Sequence, residues 1–578
     1  MTRLLSPSGA PPMKSLFLPV LLLSAAPLRP ADVPFTDTHF TPKTYRSLAE
    51  WQSRRSDLRD QILFSAGLMP MREKTPLNPH ITGRVEGPDY TVDNVALETM
   101  PGYWLGGNLY LPKGRKPPYP GILHPHGHWK NGRLEDTDNY SGPSLGVNLA
   151  RRGFAVFAYD MVGYNDTRQT PHEFGSPAEQ LWSFGPLALQ LWNSIRVLDY
   201  LTMLPQVDRT KLGMTGASGG GTQTFLVTAI DERVRYAAPV NMVSFIMQGG
   251  CVCENQPGLR FDTNNVEFAA MAAPRPMLIV AATGDWTRNV PKEEFPAVQS
   301  IYKLYGHPKL VEEVQFEAPH NYNQASREAV YRFLSKQVFG KEGPAKETPS
   351  GIEDVAKLRV FPDGVLPEGA KTFEQVFEYW KQEARRQAAA INDTQELKSW
   401  LGRALAVKWP DKTEASADTL TRTAHEDAIP FRFVEGSGQP VLLLDPKGIE
   451  AADTYPRAGR PLLAITVSGG RPAEIKEDRR YRHYLTFNPS DDSRRVQDVL
   501  VALHWLSVKY PSAKIEISAT GVARWWALFA AATSRVPVAF GVQESEFPDT
   551  DAALLENLFV PSLQRVGGVR TALRLVEP

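Results

Sequence analysis

Residues 211–230 read KLGMTGASGGGTQTFLVTAI, and this stretch decides the fold because it joins a strand, a sharp turn and a helix. The apolar residues before the turn predict a strand, and the longer apolar run after it predicts a helix. Between them, residues 216–220 read GASGG and match the pattern G-x-S-x-G, whose tight turn presents a serine hydroxyl at the edge of a sheet. Small residues must flank the serine because the backbone is crowded there. Ser218 is therefore the candidate nucleophile.

Strands and helices alternate along the chain on both sides of this turn. Apolar segments predict strands, and apolar residues at helical spacing predict helices. The predicted strands are 91–100, 106–114, 119–129, 153–159, 211–216, 235–240, 274–285 and 312–319, and the predicted helices include 44–68, 186–203 and the segment after Ser218. This alternation predicts an α/β fold with a mainly parallel sheet and helices on both faces. Its active site should lie at the carboxyl ends of the strands.

Two further residues follow strands in the order that a serine nucleophile requires. A serine hydroxyl needs a neighbouring base to activate it, and that base needs an acid to orient it. Asp285 ends the strand PMLIVAATGD, and His320 follows the strand EEVQFEAP in the loop APHNYN. Taken singly, each is consistent with a structural role, as a capping aspartate and a solvated loop histidine. Together, in the order serine, acid, histidine, they predict a triad with Ser218.

The oxyanion of an acyl-transfer reaction needs two preorganised N–H donors. The backbone of Gly219 supplies one, and we expect the backbone of His128, in the loop after the strand GILHPHGHW, to supply the second. His128 also ends the run His124, His126, His128, whose members share one face of a strand. This run leaves a metal site open as an alternative, although no carboxylate or further histidine partner is evident nearby. We expect neither a metal nor a cofactor.

Residues 90–340 resemble the α/β-hydrolase superfamily, and within it the acetyl xylan esterase and dienelactone-hydrolase-like branch, through the motifs HPHGH, YDMVGYND, TGASGGG, AAPRPMLIVAATGDW and APHNY. The resemblance implies a secreted or periplasmic carboxylic-ester hydrolase that acts on acetylated plant polysaccharide. The best-known acetyl xylan esterases read G-x-S-Q-G-G at the turn and carry Glu after the histidine. Here Gly219 and Gly220 follow the serine, and Asn321 follows His320.

Several residues near the predicted triad are candidates for substrate contact. Trp129 beside the oxyanion loop and Trp286 beside Asp285 offer rings on which a sugar could stack, or they are simply packed. Residues 251–262 (CVCENQPGLRFD) fall where such enzymes insert substrate-contacting loops, and we expect Cys251, Glu254 and Arg260 to shape the pocket. Cys251 and Cys253 are the chain's two cysteines. A disulfide between residues so close in sequence would be strained, and a structural or loop role is expected.

Composition restricts partners and location. The chain has 578 residues, which suggests two to four domains, and its 64 Lys and Arg equal its 64 Asp and Glu. Nothing in this balance suggests nucleic acid or an anionic membrane surface as a partner. Residues 14–32 read KSLFLPVLLLSAAPLRPAD, the layout of a signal peptide, with Met13 as an alternative start. We therefore expect the protein to be exported, without stable membrane insertion after the signal peptide is cleaved.

The C-terminal half repeats the N-terminal half. Residues 211–229 align without gaps on residues 514–532, so that Gly521 stands where Ser218 stands, and Pro578 falls at the start of the predicted strand 274–285. The second copy therefore stops before the strands that would deliver an acid and a histidine. We predict a truncated, catalytically inactive α/β-hydrolase-like domain that docks on the first. The predicted segments are a signal peptide (1–31), a helical extension (32–89), the catalytic domain (90–340), a linker (341–351) and the degenerate domain (352–578).

Three other classes of protein compete with a serine esterase. A serine peptidase of the prolyl-oligopeptidase kind shares the triad but normally carries an N-terminal propeller, for which about 60 residues are too few. A metal-dependent hydrolase would use the histidine run and would not need Ser218. A carbohydrate-binding or scaffold protein leaves the triad unexplained. We therefore predict an exported serine esterase that removes acyl or ester groups from plant polysaccharide or its oligosaccharides.

Overall fold

Two β-sheets organise the protein. The computed structural model describes residues 33–344, 346–422, 428–469 and 481–576. The signal peptide predicted for residues 1–31 lies outside the described residues. The sheets contain nine and seven strands. No helix in the described part of the chain is both long and apolar enough to cross a lipid bilayer.

The first sheet follows the order β1-β2-β3-β5-β4-β6-β7-β8-β9. Its strands are β1 (His80–Glu86), β2 (Tyr90–Met100), β3 (Tyr103–Pro112), β4 (Tyr119–Pro125), β5 (Ala155–Tyr159), β6 (Val207–Ala217), β7 (Val234–Val240), β8 (Met277–Gly284) and β9 (Val311–Pro319). The pairs β1–β2, β2–β3 and β3–β5 are antiparallel, whereas the pairs among β4 to β9 are all parallel. The mainly parallel sheet is confirmed.

Helices cover both faces of this sheet. They are α1 (Leu48–Ser65), α2 (Gly142–Arg152), α3 (Pro177–Gln180), α4 (Pro186–Met203), α5 (Gly219–Ile230), α6 (Asn265–Ala270), α7 (Glu294–Leu304) and α8 (Gln324–Phe339). Successive strand residues point to opposite faces. Ile122 accordingly joins a hydrophobic cluster with Leu145 of α2, whereas Leu123 joins a second cluster with Leu191 of α4 and Phe225 of α5. The parallel sheet is therefore buried on both faces, as its continuous apolar strands require.

The structure corrects the predicted helical extension 32–89. This segment contains α1 but also β1, which pairs with β2 and belongs to the first sheet. Strand β1 reads HITGRVE, and its residues are exposed or only half-buried. An edge strand of this kind lacks the alternation of apolar and polar residues by which strands are recognised in a sequence.

The structure also corrects the predicted linker and the start of the second domain. The described residues between 341 and 351 form no helix or strand, but they are held against the first sheet's helices. Glu347 pairs with Arg327 of α8 at 2.8 Å, and the Ser350 carbonyl accepts a hydrogen bond from Tyr90 at 2.8 Å. Further along, the N–H groups of Val360 and Phe361 donate to Asp166. Residues 346–361 therefore form a strap, which belongs with the first sheet.

The second sheet repeats the strand order of the first. It runs β10-β11-β12-β14-β13-β15-β16, the order of the first seven strands of the other sheet. Its strands are β10 (Thr413–Ala415), β11 (Thr419–Arg422), β12 (Ile429–Val434), β13 (Val441–Leu444), β14 (Leu462–Ile465), β15 (Ile515–Ala519) and β16 (Val538–Ala539). The pairing senses also agree. The pairs β10–β11, β11–β12 and β12–β14 are antiparallel, whereas the pairs β13–β14, β13–β15 and β15–β16 are parallel. A second sheet domain is thus present.

The helices of the second half support the same correspondence. They are α9 (Phe373–Ala390), α10 (Thr394–Leu405), α11 (Tyr484–Phe487), α12 (Asp491–Lys509), α13 (Ala523–Thr533), α14 (Asp551–Asn557) and α15 (Gly568–Val576). Strand β15 leads through Gly521 into α13, as β6 leads through Ser218 into α5. Gly521 has φ 53° and Ser218 has φ 56°, so both turns contain a residue with a positive φ. Counterparts of β8 and β9 are absent from the described part of the second sheet.

Side chains from both halves meet in one continuous hydrophobic cluster. Trp182, which is 1% exposed, donates its indole N–H to Asp551 at 2.9 Å. Trp380 of α9 donates to the carbonyl of Trp182 at 3.0 Å. The backbone N–H of Ser562 donates to the Gln180 carbonyl at 2.8 Å. These contacts place residues of the second half on the loop that follows α3.

Candidate active site

The turn between β6 and α5 holds Ser218 in a conformation that few residues with a β-carbon adopt. Ser218 has φ 56° and ψ −124°, and it is 7% exposed. A β-carbon on Gly216 would lie 2.4 Å from the Pro125 carbonyl oxygen, and one on Gly220 would lie 2.3 Å from the same atom. The end of β4 thus passes directly against the turn. The two glycines of the motif are required because that close approach leaves no room for side chains.

Asp285 and His320 form the hydrogen-bonded pair that the sequence predicts. Nδ1 of His320 lies 2.8 Å from Oδ2 of Asp285. The other carboxylate oxygen accepts hydrogen bonds from the backbone N–H of Thr287 at 2.7 Å and from its hydroxyl at 2.5 Å. Nε2 of His320 is buried and has no hydrogen-bond partner among the described residues. The imidazole is therefore held by the acid on one side and is free to take a proton on the other.

A short chain of contacts joins the histidine to the serine. A β-carbon on Gly127 would lie 3.1 Å from Cβ of Ser218 and 2.7 Å from the ring of Trp129. The Trp129 ring in turn lies 5.9 Å from the ring of His320. The ring of Trp286 packs on the other side of His320, with centroids 4.3 Å apart. Both predicted tryptophans thus border the histidine of the candidate triad.

The predicted oxyanion donors lie beside the serine. Gly219 is the first residue of α5, where backbone N–H groups have no partner within the helix. A β-carbon on Gly219 would lie 2.8 Å from the ring of His128, so the loop after β4 sits directly over the helix start. Within the described residues, neither N–H donates a hydrogen bond to another protein atom. Both N–H groups therefore remain available as hydrogen-bond donors.

The structure rules out a metal site formed by the run His124, His126 and His128. Nδ1 of His124 contacts the Thr215 carbonyl and its Nε2 contacts the Tyr140 hydroxyl, both at 2.8 Å. His126 contacts the Gly127 carbonyl and accepts from the Met161 N–H at 2.9 Å. Burial lowers the pKa of His124 to about 4 and holds the pKa of His126 well below its usual range. The two rings are neutral parts of the core, and neither has a nitrogen left for a metal.

Two of the predicted substrate contacts are structural instead. Arg260 is 1% exposed, and its guanidinium donates to the Glu254 carbonyl and to the side chains of Asn255 and Asn265. The Glu254 carboxylate accepts from the N–H groups of Gly250 and Cys251. Neither side chain is left to face a substrate, because each holds the loop that carries the cysteines.

Cys251 and Cys253 lie beside two imidazoles. Nε2 of His128 lies 3.0 Å from Sγ of Cys253, and Nε2 of His172 lies 3.3 Å from Sγ of Cys251. Both cysteines are free thiols. The pKa of Cys251 is far below its usual range because Cys253, and after it the two imidazoles, hydrogen-bond to its sulfur. Burial raises the pKa of Cys253.

His172 and Thr287 are site residues that the sequence analysis missed. Thr287 follows Asp285 by two residues, a spacing at which a hydroxyl can donate a hydrogen bond to the carboxylate. This spacing could have identified Thr287 from the sequence. His172 is separated from His128 by a strand, a helix and a loop, and no pattern in the sequence connects them. Only the fold brings these two histidines together.

Comparison with solved structures places the chain in a family. The structure of Methylesterase BT1017 matches with a TM-score of 0.52 and 30% sequence identity, over 60% of this chain and 78% of the methylesterase. The chain belongs to the α/β-hydrolase esterases. This esterase also resembles the protein YtaP of Bacillus subtilis (strain 168), which is named for an inferred hydrolase activity, with 22% identity over 49% of this chain and 99% of YtaP.

A more distant match to this esterase is a glucuronoyl esterase from Solibacter usitatus. It has a TM-score of 0.40 and 16% identity, over 53% of this chain and 99% of that protein. No family model matches the chain.

Proposed function

We propose that this protein is an exported serine esterase that hydrolyses carboxylic esters of plant polysaccharide or its oligosaccharides. One observation carries the proposal. The His320 imidazole is bound to Asp285 at Nδ1 and has a free, buried Nε2, and contacts through Trp129 and Gly127 connect it to a serine on a strained turn. A histidine base that is oriented by an acid and lies near a serine on a strained turn is the arrangement used for acyl transfer.

The proposed reaction has two halves. Ser218 Oγ attacks the ester carbonyl while His320 Nε2 takes its proton, and the N–H groups of Gly219 and His128 stabilise the resulting oxyanion. The alcohol leaves with the proton from His320, and an acyl-enzyme remains on Ser218. Water then attacks the acyl group, gives its proton to His320, and releases the carboxylic acid when that proton returns to Ser218. Asp285 stays ionised throughout and keeps the imidazole oriented.

The substrate class rests on two supports. Trp129 and Trp286 border His320, and indole rings are suited to packing against the apolar face of a sugar ring. The solved relative is named a methylesterase. An ester on a sugar unit, either an acyl group on a hydroxyl or an alkyl ester of a uronic acid, fits both supports.

The test is a substrate panel with a nucleophile variant as control. Purified protein is assayed on acetylated xylan, methyl glucuronoyl esters and short-chain nitrophenyl esters. We expect turnover on at least one sugar ester, and Ser218→Ala should lower it at least ~10³-fold. The triad proposal fails if the alanine variant keeps its activity. The carbohydrate proposal fails if only the nitrophenyl esters are hydrolysed.

Export has its own test. The predicted signal peptide would be removed when the chain crosses the inner membrane. The mature N-terminus, determined by mass spectrometry on protein from a periplasmic or extracellular fraction, should lie near residue 26–32. Uncleaved protein found entirely in the cytoplasm contradicts the proposal.

A further inference from the structure

Four side chains with metal-binding atoms converge beside the proposed active site. The ligand atoms of His128, His172, Cys251 and Cys253 all lie within 4.8 Å of one another. They come from three separate parts of the fold, namely the loop after β4, the loop after β5 and the short 3-10 turn Val252–Glu254 with the residue before it. Neither the proposed triad nor its oxyanion donors use these four side chains.

The donor set and its spacing suit one kind of ion. Two thiolates and two imidazoles form the Cys2His2 set that binds zinc in tetrahedral structural sites. With Zn–S of about 2.3 Å and Zn–N of about 2.0 Å, neighbouring ligand atoms around such an ion lie about 3.3–3.8 Å apart. The two sulfur–nitrogen pairs that contact each other are 3.0 and 3.3 Å apart. These two pairs would open by a few tenths of an ångström around a zinc ion, and all four ligand atoms already lie within 4.8 Å of one another.

The surroundings of His172 orient it as a ligand. Its Nδ1 lies 2.7 Å from the Val162 carbonyl oxygen, and a carbonyl oxygen can only accept a hydrogen bond. Nδ1 therefore carries a proton, and in the neutral imidazole the lone pair lies on Nε2, the atom that faces Cys251. Metal-binding histidines typically have their other nitrogen fixed in this way. The ring also packs edge-on against Tyr164, with centroids 4.9 Å apart, which holds its plane.

The turn that carries both cysteines is held by Glu254. Its carboxylate accepts from the N–H groups of Gly250 and Cys251 at 3.1 and 3.2 Å, and from the Thr222 hydroxyl at 3.2 Å. Thr222 belongs to α5, the helix that begins after Ser218. The opposite ligand, His128, lies over the first residue of that helix. The cluster is thus built on fixed elements rather than on a free loop.

We propose that His128, His172, Cys251 and Cys253 bind one zinc ion that holds together the three loops around the esterase site. Binding converts the two thiols to thiolates and releases their two protons to solvent, so the ion's charge is balanced by its ligands. Four protein ligands fill the tetrahedral coordination, which makes the site a structural one. The Cys2His2 site does not depend on the identity of the ester substrate.

The test measures metal directly on the full-length protein. Protein purified under reducing conditions should contain about one zinc ion per chain, and replacing zinc with Co²⁺ should give the visible and near-ultraviolet bands of tetrahedral thiolate-bound cobalt. His172→Ala and the double variant Cys251→Ser/Cys253→Ser should lose the metal and these bands. His307→Ala, which changes an exposed histidine elsewhere, should keep both.

Two results overturn the zinc site. One is wild-type protein that binds neither zinc nor cobalt when its thiols are reduced. The other is unchanged metal content in a soluble His172→Ala variant, which removes a single half-buried ring and serves if the double cysteine variant does not fold.

The site has one consequence that rests on the proposed function. Because His128 would be both a zinc ligand and the residue whose backbone N–H faces the oxyanion, metal removal should lower kcat more than it changes KM. We expect a loss of about tenfold, less than the loss of a whole oxyanion donor, with recovery on adding zinc. An unchanged kcat in metal-free enzyme would contradict this consequence, whereas an inactive Ser218→Ala variant would still support the esterase.

Discussion

Ser218 has a backbone conformation that favours glycine, and a glycine, Gly521, stands at the corresponding turn of the second sheet. Both turns have a positive φ, 56° at Ser218 and 53° at Gly521. A non-glycine residue in such a region costs on the order of 1–3 kcal/mol, and this cost is found mainly at functional sites. The protein therefore gives up stability at the one residue that we assign as nucleophile.

Ser218→Gly should inactivate the enzyme and stabilise it. Glycine relieves the positive φ, while its greater freedom in the unfolded chain offsets part of the gain. We expect a net increase of about 1 kcal/mol in the free energy of unfolding relative to Ser218→Ala, which keeps the strain. Thermal unfolding of the two inactive variants side by side measures the difference. If the glycine variant unfolds at or below the temperature of the alanine variant, the strain argument is wrong.

Thr287 is a positioning residue for the acid. Its hydroxyl lies 2.5 Å from the Asp285 oxygen that His320 does not use, so Thr287→Val should let the carboxylate rotate. We expect kcat to fall about tenfold through the loss of one hydrogen bond to a charged group, with KM little changed. Thr287→Ser keeps the hydroxyl and should restore most of the rate. Equal losses in both variants would indicate a packing defect instead.

At the scale of elements, the junction of β4, β6 and α5 depends on a backbone contact. A β-carbon on Gly220 would lie 2.3 Å from the Pro125 carbonyl oxygen and 2.8 Å from that of His126. Gly220→Ala must therefore push α5 away from β4, and overpacking of this kind typically costs about 1–3 kcal/mol. Gly541→Ala, where a β-carbon meets no atom within 4 Å, is the matched control. Chemical denaturation should separate the two variants, and equal midpoints would contradict the prediction.

Local patterns predict the elements that are regular and buried. The helix predicted at 186–203 is observed at Pro186–Met203, and the turn at Ser218 lies where G-x-S-x-G places it. Strand β1 was missed because an exposed edge strand has no apolar periodicity to detect. The thiol–imidazole cluster was missed for a different reason: His172 reaches Cys251 through three-dimensional packing, and no sequence spacing encodes that contact.

At the scale of the whole molecule, the second half covers apolar surface of the first. Trp182 is buried beneath Asp551 and Trp380, and its cluster continues into both halves. We therefore infer that the two halves are docked as one body. In addition, the N–H groups of Gly258 and Arg260 donate to the carbonyls of Leu485 and Thr486. The second half thus also supports the loop that carries the cysteines.

Truncation after residue 361 should reduce soluble yield and affinity for polymeric substrate more than turnover on a small ester. The cut keeps the strap on the first sheet but exposes Trp182 and the apolar surface around it. Yield, binding to acetylated xylan and turnover on a nitrophenyl ester per folded molecule measure the three effects. The expressed second half, residues 362–578, should hydrolyse no ester. Activity in that fragment would contradict the prediction, as would a truncated protein that is fully soluble and binds the polymer normally.

The strap 346–361 is not a flexible linker between the two sheets. It is held against the first sheet's domain by contacts with Arg327, Tyr90 and Asp166. The chain therefore enters the second half from a point that is fixed relative to Ser218 and the first sheet.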